Sequence, residues 1–270
     1  MTTSLTPQFV VTDDELHVLA SCLGVQALPL VLDLRQRHPT GTARTEAVRH
    51  ATRSLTERGL LSAGEVGTEL AAVVQSLQRP DRELAMRLVT PDGLARVTVV
   101  RYGAQCISAC RVGDDITLEL IDDGANLSSA AGALLRRLPA SAPAEISPVG
   151  APLDDVSQAL SDTHDATVLS DRIRALGADP RSAMTLGSAL AARLAFAEIV
   201  YYALDDDVDR ISRSAGAVGV FYTKRGRIVG ATSASPSGQL WTTLKPGSDH
   251  TIKQAIGQLV ELSGYRWGDC

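Results

Sequence analysis

The sequence predicts an α+β fold, a twisted antiparallel sheet with helices packed against it, on three observations. From Arg82 onward the apolar period is two, in four runs separated by Thr90-Pro91-Asp92-Gly93, Tyr102-Gly103 and Gly113-Asp114-Asp115, and loops this short join antiparallel neighbours. Apolar stripes at helical spacing stand on both sides of that block. The succession of helices, strands and a closing helix occurs twice without strand-helix alternation, which disfavours a parallel doubly wound sheet and suggests two similar halves sharing one sheet.

The elements follow in order. Thr12-Asp13-Asp14-Glu15 has the threonine-to-glutamate spacing of a capping box, Leu16, Leu19 and Leu23 mark one helical face, and Gly24 stops the helix. Leu28 to Leu34 is a short apolar run that suits a strand, with Pro29 tolerated near its start. A helix from about Arg44 to Arg58 turns Ala47, Val48, Ala51 and Leu55 inward, keeps its arginines on a solvated face, and is closed by Gly59. Val66, Leu70, Val73, Val74 and Leu77 form the next stripe, ended by Pro80. The four strands span Arg82–Val89, Ala95–Tyr102, Gln105–Arg111 and Asp115–Ile121, and a helix follows over Leu127–Leu138.

Residues 139–152 carry four prolines in fourteen positions and read as the connection between an N-terminal half, 1–138, and a C-terminal half, 153–270. In the second half, helices are expected over Leu153–Leu160, Ala166–Leu176 and from Asp179-Pro180 to about Leu194. Strands are expected over Ala197–Leu204, Ala217–Thr223, Arg227–Ser233 and Gln239–Leu244, with a turn at Lys224-Arg225-Gly226. Ser248 opens a last helix whose apolar side holds Ile252, Ala255, Ile256, Leu259, Val260 and Leu262.

Composition bounds the function. With 44% hydrophobic and 21% charged residues the chain folds, and 270 residues suffice for a core without metals or disulfides. A formal charge of −5 leaves no electrostatic footprint for nucleic acid. The opening residues lack a signal-peptide apolar core and no 18-residue apolar run follows, so neither export by that route nor membrane insertion is expected and the protein is placed in the cytoplasm. Four cysteines are too few for a disulfide framework.

No catalytic or cofactor motif emerges. The five histidines have no partner at ligand spacing, and Cys106 and Cys110, on one face of a strand, lack the two further ligands a zinc site needs, with Cys22 and Cys270 far off. Asp205, Asp207 and Asp209 start like a calcium loop, but Arg210 and Gly216 stand where glycine and glutamate are required. Ser248, Asp249 and His250 are sequence neighbours at a helix start and cannot converge on one reacting atom, so Ser248 is read as a cap. Trp241 and Trp267 are read as packing residues. No enzyme and no cofactor are therefore expected, the rival being a hydrolase or transferase with a site assembled from dispersed residues.

The ordered segments resemble the EspG family, the secretion-associated proteins of actinobacterial type VII (ESX) secretion. The resemblance lies in Thr12–Gly24 (TDDELHVLASCLG) followed by LPLVLDL, in Ala47–Leu60 and Arg79–Arg87 (RPDRELAMR), and in AEIV, AVGVFYTKRGRI and Trp241–Asp249 (WTTLKPGSD), in that order. It implies one domain over 1–270, a quasi-twofold relation between the halves, and a cytosolic chaperone that holds the exposed helical tip of the PPE subunit in PE–PPE heterodimers. The family's connection between the strands starting at Arg82 and Ala95 contributes to client contact and is often longer, which puts Thr90 and Asp92 at that place here. Such a chaperone needs an apolar pocket rimmed by charge, and loop placement makes Arg210, Arg213, Lys224 and Arg225 the rim candidates. A clientless self-associating scaffold is a third reading, and for the free protein monomer and homodimer are both open.

Overall fold

The computed structural model describes residues 7–35, 37–205, 207 and 209–268; Cys270 lies outside the described residues. The chain runs β1 (Gln8–Thr12), α1 (Asp13–Leu23), a 3-10 turn (Leu30–Leu32), α2 (Gly41–Glu57), β2 (Leu61–Ser62), β3 (Glu65–Val66), α3 (Thr68–Ser76), β4 (Arg82–Thr90), β5 (Gly93–Tyr102), β6 (Gln105–Val112), β7 (Asp115–Leu120) and α4 (Leu127–Leu135). It continues with β8 (Val149–Pro152), α5 (Leu153–Leu160), α6 (Ala166–Ala175), α7 (Pro180–Ala191), β9 (Arg193–Asp205), β10 (Arg210–Arg213), β11 (Val218–Thr223), β12 (Gly226–Ala234), β13 (Leu240–Pro246) and α8 (Asp249–Glu261).

One antiparallel sheet joins the halves in the order β1-β7-β6-β5-β4-β9-β11-β12-β13-β8, with β10 also on β9. The seam is β4 against β9, in register from Arg82 opposite Ala203 to Val89 opposite Phe196. On each side of it the chain makes a meander and returns its first strand to the outer edge, β1 onto β7 and β8 onto β13.

Alternation along the strands gives the two faces different cover. Leu84 and Met86 of β4, with Ile199 and Tyr201 of β9, point to the face closed by α4 and α8, where Ile256 and Leu259 are fully buried. Each such side chain withdraws enough apolar surface to stabilise by about 1.5–3 kcal/mol. On the other face the helices divide. Helices α1 and α3 bury Leu16, Leu19, Leu70 and Val74 against Val100, Ile107 and Leu118. Helices α5 to α7 bury Val156, Leu169 and Leu186 against Ile228 and Leu244. The strands at the seam lie between the two helical groups.

Most expected elements form, including the capping box at Thr12 and Glu15 and the left-handed Gly24. The stretch Leu28–Leu34 does not become a strand. Pro29 has no N–H for a ladder, Leu30–Leu32 coil into a 3-10 turn, and Asp33 adopts φ 50°. Arginines of the sheet satisfy its carbonyls: Arg96 donates to Val31 at 3.3 Å, and Arg111 to Leu32 and Asp33, each at 2.7 Å. Four short pieces of strand, β1, the β2–β3 hairpin, β8 and β10, carry too little period-two pattern to be read in advance. The proline-rich connection lies along the sheet: Ala142 and Ala144 exchange backbone bonds with Arg227, and its last four residues are β8.

Candidate functional site

The alternation that sends Leu84 and Met86 to one core leaves Glu83, Ala85 and Arg87 of β4 on the opposite face. Beside them stand Glu198, Val200 and Tyr202 of β9. These residues floor a groove of about 830 Å³. The 27–31 stretch with Leu77, Gln78 and Pro80 walls it on the side of the first half, and Ile211 and Arg213 of β10 on the other. The arginine-held turn at Leu30 therefore shapes the groove, and its tip side chain, Leu30, is 95% exposed.

The floor mixes apolar surface with charge. Arg87 faces Glu198 across the seam and pairs with it at 3.1 Å, and Arg96 of β5 pairs with Asp33 at 2.8 Å. Glu83 receives a hydrogen bond of 2.8 Å from the Thr98 hydroxyl and has no cationic partner among the described residues. Burial among protein atoms pushes its carboxyl above the usual carboxylate range, against the smaller effect of the Thr98 bond, although the groove leaves part of the side chain open to water. Arg213 likewise makes no ion pair among the described residues. Toward the β4–β5 turn the floor becomes apolar, with Val89 52% exposed between Leu94 and Phe196, and Phe196 tilted against Phe221 at 4.9 Å between ring centres.

The candidate residues read from the sequence separate. Arg213 lines the groove. Arg210 is three positions earlier on the same strand and so points to the opposite face, in register with Asp205. Thr90 and Asp92 form the β4–β5 turn, where the Thr90 hydroxyl accepts from the Asp92 N–H at 3.2 Å. Lys224 and Arg225 form the exposed β11–β12 turn at that same end of the sheet. Tyr202 stands six positions beyond Phe196 along β9, so roughly 20 Å of strand separates these turns from Arg213.

Sequence reasoning missed Glu83, Ala85, Arg96, Glu198, Val200 and Tyr202. The available signal was polar residues at alternate positions of strands that are otherwise apolar, Glu83 and Arg87 in one and Glu198 in another.

The residues weighed for chemistry are accounted for by structure. Cys106 and Cys110 both face the α4–α8 core, and burial pushes the Cys106 thiol up to about 12. Ser248 caps α8, accepting from the Thr251 N–H at 3.1 Å, while Asp249 pairs with Arg227 and His250 is exposed. Trp267 is buried and donates to the Gly124 carbonyl at 2.9 Å; Trp241 stands on β13, 37% exposed. Among the described residues no three metal-ligating side chains gather, and no helix is long and apolar enough to cross a membrane.

Comparison with known proteins gives one consistent answer. The model of the EspG family matches residues 12–258. The ESX-1 secretion-associated protein EspG1 of Mycobacterium tuberculosis is 28% identical over 93% of this chain and 86% of its own length. The ESX-3 secretion-associated protein EspG3 of Mycolicibacterium smegmatis is 25% identical over 92% of this chain and 85% of its own. Among solved structures, the M. tuberculosis type VII secretion system chaperone EspG5, in complex with the PE25–PPE41 dimer, superposes with a TM-score of 0.81. It is 20% identical, over 96% of this chain and 98% of that one.

Proposed function

The chain belongs to the EspG family, and from that premise we propose that it is a non-enzymatic chaperone that captures a PE–PPE heterodimer in the cytosol. In this reading it grips the exposed helical tip of the PPE subunit and keeps the pair soluble for ESX secretion. One observation carries this: the groove over the β4–β9 seam is the stretch of sheet face left between the two helical groups, and its accessible apolar lining, Leu30, Tyr202 and Ile211, is bordered by charge. An apolar centre with a polar border suits a client whose own apolar tip must be shielded from water. The EspG5 neighbour is in complex with a PE–PPE dimer, which supports the same reading.

The chain acts as one domain whose halves are related by a quasi-twofold at the seam; the mirrored strand order supports this. Arg213 belongs to the groove's rim, and Thr90, Asp92, Lys224 and Arg225 form a second contact at the far turns, reached only by a client that extends along the strands.

Co-expression with the PE–PPE pairs of the same genome tests the proposal. Retention of one pair on the tagged chain in a one-to-one complex by light scattering is expected, lost when Ala85 is replaced by arginine and, because Ala85 is itself buried, lost also in I211R on the exposed wall of the groove. If every pair fails to co-purify, or if A85R retains its pair, the proposal is wrong.

A further inference from the structure

The groove's charges are matched except at one level of the sheet. Arg87 is answered by Glu198 and Arg96 by Asp33, so those four present little net field to a ligand. Glu83 and Arg213 remain. Both are in register with Tyr202, Glu83 on the β4 side and Arg213 on the β10 side, and both line the groove. Neither has an ion-pair partner among the described residues. Two strand spacings set their backbones about 10 Å apart, with Tyr202 between them, and no ion pair closes that gap.

We propose that Glu83 and Arg213 are the specificity-determining pair of the groove, reading a cationic or amide donor and a carboxylate on the bound client on either side of Tyr202. The proposal rests on the groove being the client site. An unpaired carboxylate on a floor that is otherwise apolar or neutralised costs free energy in the empty protein, and a donor from the client relieves that cost. Burial that pushes the Glu83 carboxyl upward reports the same want of a partner. The spacing constrains the ligand. A helical client segment lying across the strands covers about 10 Å in about seven residues, so donor and acid stand two turns apart on one helix face. A client with two acids or two bases at those places is rejected by like charge.

The test uses the PE–PPE heterodimer that the wild-type chain retains in co-expression, titrated against purified variants. E83Q preserves shape and the acceptor for Thr98, and R213Q removes the charge while keeping a polar side chain; each is expected to weaken binding at least tenfold, with melting temperatures no lower than that of the parent by more than a few degrees. Replacing the client's matching donor by alanine should remove most of the effect of E83Q. If A85R abolishes binding while E83Q and R213Q bind within twofold of the parent, the pair is not read and this inference falls, though the groove still holds the client. If A85R binds like the parent, the groove itself is misassigned and the inference falls with it.

Discussion

Glu15 closes two contacts at once: its carboxylate accepts the N–H of Thr12 at 2.9 Å and the guanidinium of Arg58, 43 residues later, at 3.0 and 3.2 Å. Arg58 also donates to the Val10 carbonyl, so one carboxylate ties β1, the start of α1 and the end of α2. The Thr12 hydroxyl answers by accepting the Glu15 N–H at 3.2 Å.

That network ranks two substitutions. T12A removes a cap and should cost about 1 kcal/mol. E15A removes the reciprocal bond and the ion pair, and should cost about 2 kcal/mol, tempered because Arg58 is 41% exposed and can be rehydrated. Urea denaturation of both variants checks the order; an equal loss would show that the Arg58 contact contributes nothing.

Glu83 makes stability depend on pH in a definite direction. Its carboxyl is held above the value it has in the unfolded chain, so the folded state takes up this proton more readily. The group's contribution is fully present below the unfolded value, near 4.3, and is lost as pH rises through the folded one. E83Q should therefore melt higher than the parent at pH 8, by on the order of 2 °C, with the gap closing toward pH 4. Thermal scans across that range check it, and a gap that widens in acid would reverse the sign.

Gly187 lies inside α7, where alanine would ordinarily add helix stability of about 1 kcal/mol. Here a Cβ would stand 2.7 Å from the backbone nitrogen of Ser170 in α6 and 2.3 Å from its hydroxyl oxygen. Overpacking against backbone wins, and G187A should lose about 1–3 kcal/mol in chemical denaturation.

Helix α8 covers the core with Ile252, Ile256 and Leu259, all fully buried. Leu259→Ala should cost about 2–5 kcal/mol. A chain ended at Ser248 should expose the sheet and collect in the insoluble fraction. A soluble truncation that still retains a client would make the helix dispensable.

Arg210 and Arg213 differ by strand alternation alone, so charge reversal separates them. R213E should lower client retention and R210E should leave it unchanged in the same pulldown, because only Arg213 lines the groove.

Most local structure was legible in the chain because its causes are local. The capping box at Thr12, the prolines at 80 and 180, the period-two runs between Arg82 and Leu120 and the turn at Gly226 act over a few residues, and each formed where expected. The ordered segments were enough to suggest the family. The groove was not legible. Glu83 and Tyr202 are 119 positions apart and meet only because β4 pairs with β9 across the seam, a choice made by burial on the α4–α8 face. The Leu28–Leu34 run misled for a related reason: beside its local turn bonds, its carbonyls at Val31, Leu32 and Asp33 are taken by the side chains of Arg96 and Arg111, and no window of neighbouring residues contains them. Periodicity tells which side of a strand is apolar; which strands stand together, and which of their faces the helices leave open, depends on how the whole chain buries its surface.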